Sequence, residues 1–497
     1  MTEQADGATI SPSSTTKEGI TETTLTRRDF TRLAVATGLG IVSASALFGC
    51  SSNTMAETSN TTTVDILVVG AGAGGLGAAL RAAETGKSVV LFEKEGAPGG
   101  DTALSAGTIH AAGTSLQQSQ GLSDDTTEAY IAYMMNPDSP YATDEHPLCT
   151  ALYDGALAMV EELAADGVAF LPIEDWDIRA HNIEGGGEAL IKHLTSKLEQ
   201  SGVDFRSNTP ISSLIVENGR VVGCQDAKGN AYRATAVVLA TGGFASGPEL
   251  VKRYLPDFAD TRVLAAPGSE GDGLVMARDI GARTWHLDEG AHTYFVSTES
   301  TTDMSVPPAC APGIIVNIKG DRFHNEESHY DVAGKAGMAQ PEQRAYYVFD
   351  ETIRNNYPIF EDYFAEGIVI EADSLEALTE TIGTPNLPQT IAHYNDMMAK
   401  GVDEDFGREG LLAPIEGPQY YAMGIEPVVY YTYGGLEIDP AARVLDENGE
   451  PIGGLFACGE LCASSELKEG LNYTSGISQG YVFGRIAVDT ALKELLA

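Results

Sequence analysis

Apolar residues run together at Ile66-Leu67-Val68-Val69, and the chain then turns abruptly to glycine: Gly70-Ala71-Gly72-Ala73-Gly74-Gly75. An uncharged run of this length closed by glycines predicts a buried parallel strand that turns sharply into a helix. Gly70 permits the tight turn, Gly72 lets the backbone approach a pyrophosphate, and Gly75 lets the helix lie against the strand. Gly74 belongs to the same cluster. The helix continues through Ala78-Ala79-Leu80 and stops at Gly86. A second apolar strand, Ser88 to Phe92, ends at Glu93, with Lys94 next to it. That places an acid about twenty residues past the glycines, where such folds read a ribose hydroxyl. Strand, glycines, helix, strand and acid in that order predict dinucleotide binding, with phosphates facing the helix N-terminus.

The pattern returns twice. Ala236-Val237-Val238-Leu239-Ala240-Thr241-Gly242-Gly243 and Gly454-Leu455-Phe456-Ala457-Cys458-Gly459-Glu460 are again apolar strands ending in glycine. Three such strands in one chain imply a cofactor touched from several sides. Between them, residues 123–200 carry mainly helical spacing, and Val203 to Cys224 alternates like a β-ribbon with a turn at Glu217-Asn218-Gly219-Arg220. The fold class expected is α/β, a Rossmann-like domain.

The amino terminus follows different rules. Thr26-Arg27-Arg28-Asp29-Phe30 precedes an Ala/Gly-rich apolar run from Leu33 to Phe48. That run is too short to span a bilayer comfortably, and with its twin arginine it reads as an export signal over residues 1–50 rather than a membrane anchor. Leu47-Phe48-Gly49-Cys50 resembles a lipoprotein cleavage box, so acylation of Cys50 would tether the mature protein. Residues 51–63 are Ser/Thr/Asn-rich and read as a flexible linker. The expected location is periplasmic, or the outer face of the cytoplasmic membrane.

Composition narrows the partners. The 497 residues are 43% apolar and 20% charged, which is globular and enough for two or three domains. A formal charge of −41 excludes nucleic acid as a partner. It fits a heavily solvated surface, or a field that steers a basic redox partner. Six cysteines form neither a CxxCH haem motif nor a CxxC pair, and no metal site is expected. Cys458 and Cys462 read as core thiols beside a cofactor turn or as a redox pair.

Gly99-Gly100-Asp101-Thr102-Ala103-Leu104-Ser105-Ala106-Gly107 sets small hydroxyls between glycines, which suits backbone packed on a flat ring. Together with Gly70 to Gly75, Thr241-Gly242-Gly243-Phe244, Glu270-Gly271-Asp272-Gly273, Asn317 to Glu326, Tyr433-Gly434-Gly435-Leu436 and Cys458-Gly459-Glu460, it makes the chain resemble a flavoprotein family. That family comprises soluble fumarate reductases, urocanate reductases and 3-ketosteroid dehydrogenases, and the likeness covers residues 64–497. The resemblance implies FAD, bound in a discontinuous domain over 64–286 and 432–497, under an inserted α+β capping domain over 287–431. It implies that Glu93 reads the ribose and that Asp101 and Thr102 lie by the ring. Asp272 and Glu460 then touch the ribityl chain or ring, and Tyr431, Gly476 and Ile477 meet it. The cofactor contacts expected are completed by Lys94, Gly100, Ser105, Gly107, Ile211, Thr241 and Gly242. Members with covalent flavin carry a histidine near the second glycine cluster. None lies between Gly99 and Gly107, so FAD is expected to be non-covalent.

The substrate residues depart from the fumarate pattern. Fumarate reductases hold their dianion with two arginines, two histidines and a Thr-Glu pair. Here Tyr330 and Leu471 stand at the two arginine positions, Tyr430 replaces one histidine, the Thr-Glu pair falls near Ser305-Val306, and only His292 remains. A dicarboxylate drawn out of water needs compensating cations. Lys468 supplies at most one. Fumarate and succinate are therefore excluded. The phenols of Tyr330, Tyr430, Tyr431, Tyr433 and Tyr473 suit an apolar, hydroxyl-bearing pocket, although each also reads as a core aromatic. The expected reaction is reduction of an activated C=C bond of an enone-like or other conjugated substrate. Tyr330 protonates the α-carbon, and Tyr430, His292 or Tyr473 polarises the carbonyl. The alternatives are the reverse, dehydrogenase direction on a ketosteroid-like substrate, or a non-catalytic flavin-binding lipoprotein. With no haem motif, electrons pass to or from an external cytochrome, small flavoprotein or quinone-linked membrane protein.

Overall fold

The computed structural model describes residues 62–122, 124–136, 146–174, 177–466 and 476–495. The expected signal and Cys50, nearly all of the linker, and Lys468, Leu471 and Tyr473 lie outside the described residues. Among the described residues no helix is long and apolar enough to cross a membrane.

The first strand, Thr62–Val69, pairs in parallel with Val89–Phe92 on one side and with Ala231–Leu239 on the other. Pro451–Ala457 adds in parallel beyond Ala231–Leu239. The three strands that end in glycine are thus direct neighbours, and their C-terminal ends open on one edge of the sheet. Ile66, Leu67, Val68, Val237, Val238, Leu239 and Leu455 are all wholly buried, as strands covered on both faces require. The ribbon is Ile211–Glu217 paired antiparallel with Arg220–Asp226, and the turn residues Asn218 and Gly219 both have positive φ. The helix Ala73–Glu84 covers the first strand and packs along the last helix, Gly476–Glu494.

A second sheet carries its own core. Tyr420–Thr432 is a 13-residue strand that pairs antiparallel with Ala291–Ser297 and Ala345–Asp350, which pairs in turn with Ile314–Asn317. Val369–Ala372 and the two residues Arg262–Val263 join the same long strand. Under this sheet Phe349 stacks on Phe360 with centroids 4.1 Å apart. The buried Arg322 is held by Glu326 at 2.7 Å and Asp403 at 2.9 Å. The apolar cores divide accordingly: Phe295 to Ile425 fill the second, and residues on both sides of that stretch fill the first. Two segments link the cores, the strands Ala291–Ser297 and Tyr420–Thr432.

Those two strands pair irregularly where they cross. His292 lies opposite Tyr431 and Thr293 opposite Val429, so Tyr430 is an extra, bulged residue. A bulge twists its strand and re-aims a side chain.

Candidate active site

A cavity of about 480 Å³ lies between the C-terminal ends of the three parallel strands and the bulged strand pair. At the first glycine turn, Gly70 has φ +100°, and a Cβ there would stand 2.2 Å from the carbonyl oxygen of Ala240. A Cβ on Gly75 would stand 1.8 Å from the carbonyl oxygen of Gly70, so the helix touches the turn with no atom to spare. Gly72 differs: a Cβ there would meet nothing nearer than 3.7 Å, and the residue lines the cavity. It caps the helix with no side-chain hydrogen bond, which leaves the helix N-terminus for an anion. The Glu93 carboxylate accepts the Ala71 N–H at 2.8 Å and the Glu95 N–H at 2.9 Å, fixing it at the end of the second strand. Lys94 is held by Glu270 and Asp272, each at 2.8 Å. The Thr241 hydroxyl is buried on the cavity wall with no hydrogen-bond partner among the described residues. An anion-ready helix end, a side-chain-free approach at Gly72 and an orphaned hydroxyl together fit a dinucleotide cofactor.

Midway along the cavity two carboxyls face each other. Asp101 accepts the Ala266 N–H and the Ser269 hydroxyl, and Glu460 accepts the Thr432 N–H at 2.9 Å. Desolvation, then the Asp101 charge, pushes the Glu460 carboxyl far above the usual carboxylate range. Asp101 is raised as well, mainly by desolvation.

At the far end the wall is aromatic. His292, Tyr430, Tyr431 and Tyr433 line it. His292 stacks on Tyr431 at 4.8 Å and meets Tyr330 edge-on at 4.6 Å. The bulged Tyr430 sends its hydroxyl to the backbone oxygen of Asp101 at 3.4 Å. Desolvation raises the Tyr430 phenol strongly and pushes Tyr294, behind it, up to about 12. Asp331, wholly buried, accepts the Thr293 N–H at 2.8 Å and the Tyr433 hydroxyl behind this wall.

The cavity wall thus gathers Gly70, Gly72, Gly74, Glu93, Lys94, Gly100, Asp101, Thr102 and Ser105 from the first half of the chain. From the rest it takes Ile211, Thr241, Gly242, Asp272, His292, Tyr430, Tyr431, Glu460, Gly476 and Ile477. Three expected residues stand outside it. Gly75 packs on Gly70. A Cβ on Gly107 would lie 2.5 Å from the backbone of Gly186, so this glycine seats the helix Gly186–Ser201. Tyr330 begins the helix Tyr330–Met338 one ring behind His292. Cys458 and Cys462 are free, buried thiols on the wall, and desolvation pushes Cys458 up to about 12 and Cys462 higher. They pack as core residues. Asp331, Ser269 and the Asp101–Glu460 pairing were not singled out from sequence. Asp331 follows directly on Ser328-His329-Tyr330, but its partners Thr293 and Tyr433 are remote in the chain.

The FAD binding domain family matches residues 65–478. A urocanate reductase of Eggerthella lenta is 33% identical over 460 residues, covering 86% of this chain and 74% of the relative. A probable fumarate reductase of Shewanella frigidimarina is 31% identical over 450 residues, covering 87% of this chain and 76% of the relative. Among solved structures, the open conformation of a flavocytochrome c3 fumarate reductase aligns with a TM-score of 0.76 at 30% identity, over 88% of this chain and 79% of that one.

Proposed function

The chain belongs to the FAD binding domain family and is an FAD-dependent oxidoreductase acting on C=C or CH–CH groups, and from that premise we propose that it reduces an activated C=C bond in an enone-like or other conjugated substrate, not in a four-carbon dicarboxylate. One observation carries the reading. Among the described residues that line the cavity, the carboxyls are Glu93, Glu95, Asp101, Asp272, Glu460 and Glu466, while the one Lys or Arg is Lys94. Lys94 is already shared between Glu270 and Asp272. A dianion at the aromatic end would be desolvated with no arginine among the described lining residues to offset it, at several kcal/mol per charge. A neutral conjugated carbonyl compound loses little water there and meets phenols that hydrogen-bond its oxygen.

FAD, when bound, supplies the hydride. The groups Gly70, Gly72, Glu93 and Thr241 would hold its nucleotide portion, and Asp101, Thr102, Glu460, Gly476 and Ile477 its ring end, without a covalent bond. Tyr430 polarises the substrate carbonyl, and His292 helps to orient the substrate. Tyr330, carried on the capping helix beside His292, gives its proton to the α-carbon once the cap closes. Electrons come from an external carrier, and the twin-arginine segment supports a location in the periplasm or on the outer face of the cytoplasmic membrane, where acylation of Cys50 would add a tether.

The test is an anaerobic assay with reduced viologen and a panel of enones, cinnamates, unsaturated steroids and fumarate. Viologen oxidation with a conjugated carbonyl compound and little with fumarate is expected. Efficient turnover of fumarate overturns the reading, as does ligand binding without flavin reoxidation. Tyr330→Phe is expected to keep its FAD and lose roughly a hundredfold or more in turnover, the usual worth of a general acid. A near-normal rate removes Tyr330 from the proton step.

A further inference from the structure

Hydrogen-bond arithmetic behind the aromatic wall fixes which nitrogen of His292 carries a proton. The Tyr433 hydroxyl has one hydrogen and gives it to the Asp331 carboxylate. Its oxygen also lies 3.4 Å from Nδ1 of His292. With its hydrogen committed, that oxygen can only accept, so Nδ1 must donate. Asp331 Oδ1 lies 3.5 Å from the same nitrogen and favours the same state. This carboxylate has no room to act otherwise. It is wholly buried, its Oδ1 is fixed by the Thr293 N–H at 2.8 Å, and its second imidazole neighbour, His329, is kept neutral by desolvation. Lys335 and Asp303 also act on these imidazoles, and the phenols of Tyr294, Tyr330, Tyr430 and Tyr431 pack around the His292 ring.

The geometry points to Asp331 as a positioning residue that acts through Tyr433 to hold His292 in the Nδ1–H form, leaving Nε2 as the nitrogen offered to the substrate. This rests on His292 being a substrate contact, and it adds which ring nitrogen serves and what selects it. In that form Nε2 carries a lone pair and accepts, so it meets a hydroxyl or N–H hydrogen, and the substrate's carbonyl oxygen is left to the phenol of Tyr430. That arrangement suits a conjugated carbonyl substrate that also carries a hydrogen-bond donor.

The test reads the tautomer without substrate, so it is separable from the assay panel: an inactive panel leaves it standing, and its own failure leaves the reductase reading standing. Holoenzyme labelled with 15N-histidine is examined by NMR at a pH where the ring is neutral, with His292→Gln identifying the signal. An ordinary hydrogen bond should hold the native ring about tenfold towards Nδ1–H. In Asp331→Asn, Oδ1 stays fixed by Thr293, so an amide N–H faces Tyr433. The Tyr433 hydroxyl then turns to donate to Nδ1, and the preference reverses to Nε2–H. In Tyr433→Phe the relay is gone and only the 3.5 Å Asp331 contact remains, so the Nδ1–H preference should weaken measurably, which decides the matter should Asp331→Asn fail to fold. A native ring without tautomer preference, or a preference unchanged in the variants, overturns the assignment.

Discussion

Glu460 and Asp101 set a cost at the scale of single residues. Desolvation raises both carboxyls, and Glu460 far above its ordinary range. A carboxyl raised above its unfolded value behaves oppositely to one in a salt bridge. Below the unfolded value, 4.5 for Glu460, both states are protonated and nothing is lost. Above it the unfolded chain releases a proton that the folded protein keeps, so stability falls as pH rises, by up to about 1.4 kcal/mol per pH unit. Glu460→Gln keeps an oxygen for the Thr432 N–H and a donor for Asp101 but has no proton to lose. Its apoprotein is expected to match the native one near pH 4.5 and to become the more stable of the two towards pH 7, as urea denaturation at the two values would show. Equal stability at both values would mean that the pair carries no excess proton. Asp101 lies in a glycine cluster that sequence alone marks as a ring contact. Its bond to Glu460, 359 positions on, depends on two strand ends meeting, which no local pattern records.

At the scale of elements, the turn from Thr62–Val69 into Ala73–Glu84 was legible because its chemistry is local. Glycine spacing, the apolar run and the terminal acid each follow from neighbours in the chain, and the hairpin at Asn218-Gly219 was legible for the same reason. Gly75→Ala tests the turn. Its methyl would press on the Gly70 carbonyl at 1.8 Å, and the helix must lift from the strand. Overpacking of this kind costs roughly 1–3 kcal/mol. The helix N-terminus is displaced with it, so thermal unfolding and FAD retention should decline together. A variant that loses stability yet holds FAD normally would detach the helix end from cofactor binding. The second sheet was less legible. The strand Tyr420–Thr432 shows its tyrosines plainly, but the bulge that aims Tyr430 is a matter of register against Ala291–Ser297. Register belongs to the pair, so neither segment displays it alone. Tyr330 shows the converse: its position in Ser-His-Tyr-Asp marks it as a site residue, while its distance from the cavity wall is set by how the two cores sit over their linking strands.

For the molecule as a whole, the acidic balance governs who delivers the electrons. The formal charge of −41 includes only 30 Lys and Arg against 71 Asp and Glu, and no haem motif is present to receive electrons within the chain. The external carrier proposed above would approach a strongly negative body. Such a field raises the on-rate of a positive partner by roughly tenfold to a thousandfold and repels a negative one. Exposed charges further apart than about 8 Å are largely screened at physiological salt. The second-order rate of flavin reduction by a basic cytochrome or other cationic carrier should consequently drop steeply as salt is added. Reduction by an acidic small flavoprotein should instead rise, and reduction by a small uncharged donor should respond little. Stopped-flow absorbance at low and high ionic strength separates these cases. A basic carrier whose rate ignores salt would show that the charge serves hydration alone; a steep decline would mean that the surface which excludes nucleic acid also selects the electron donor.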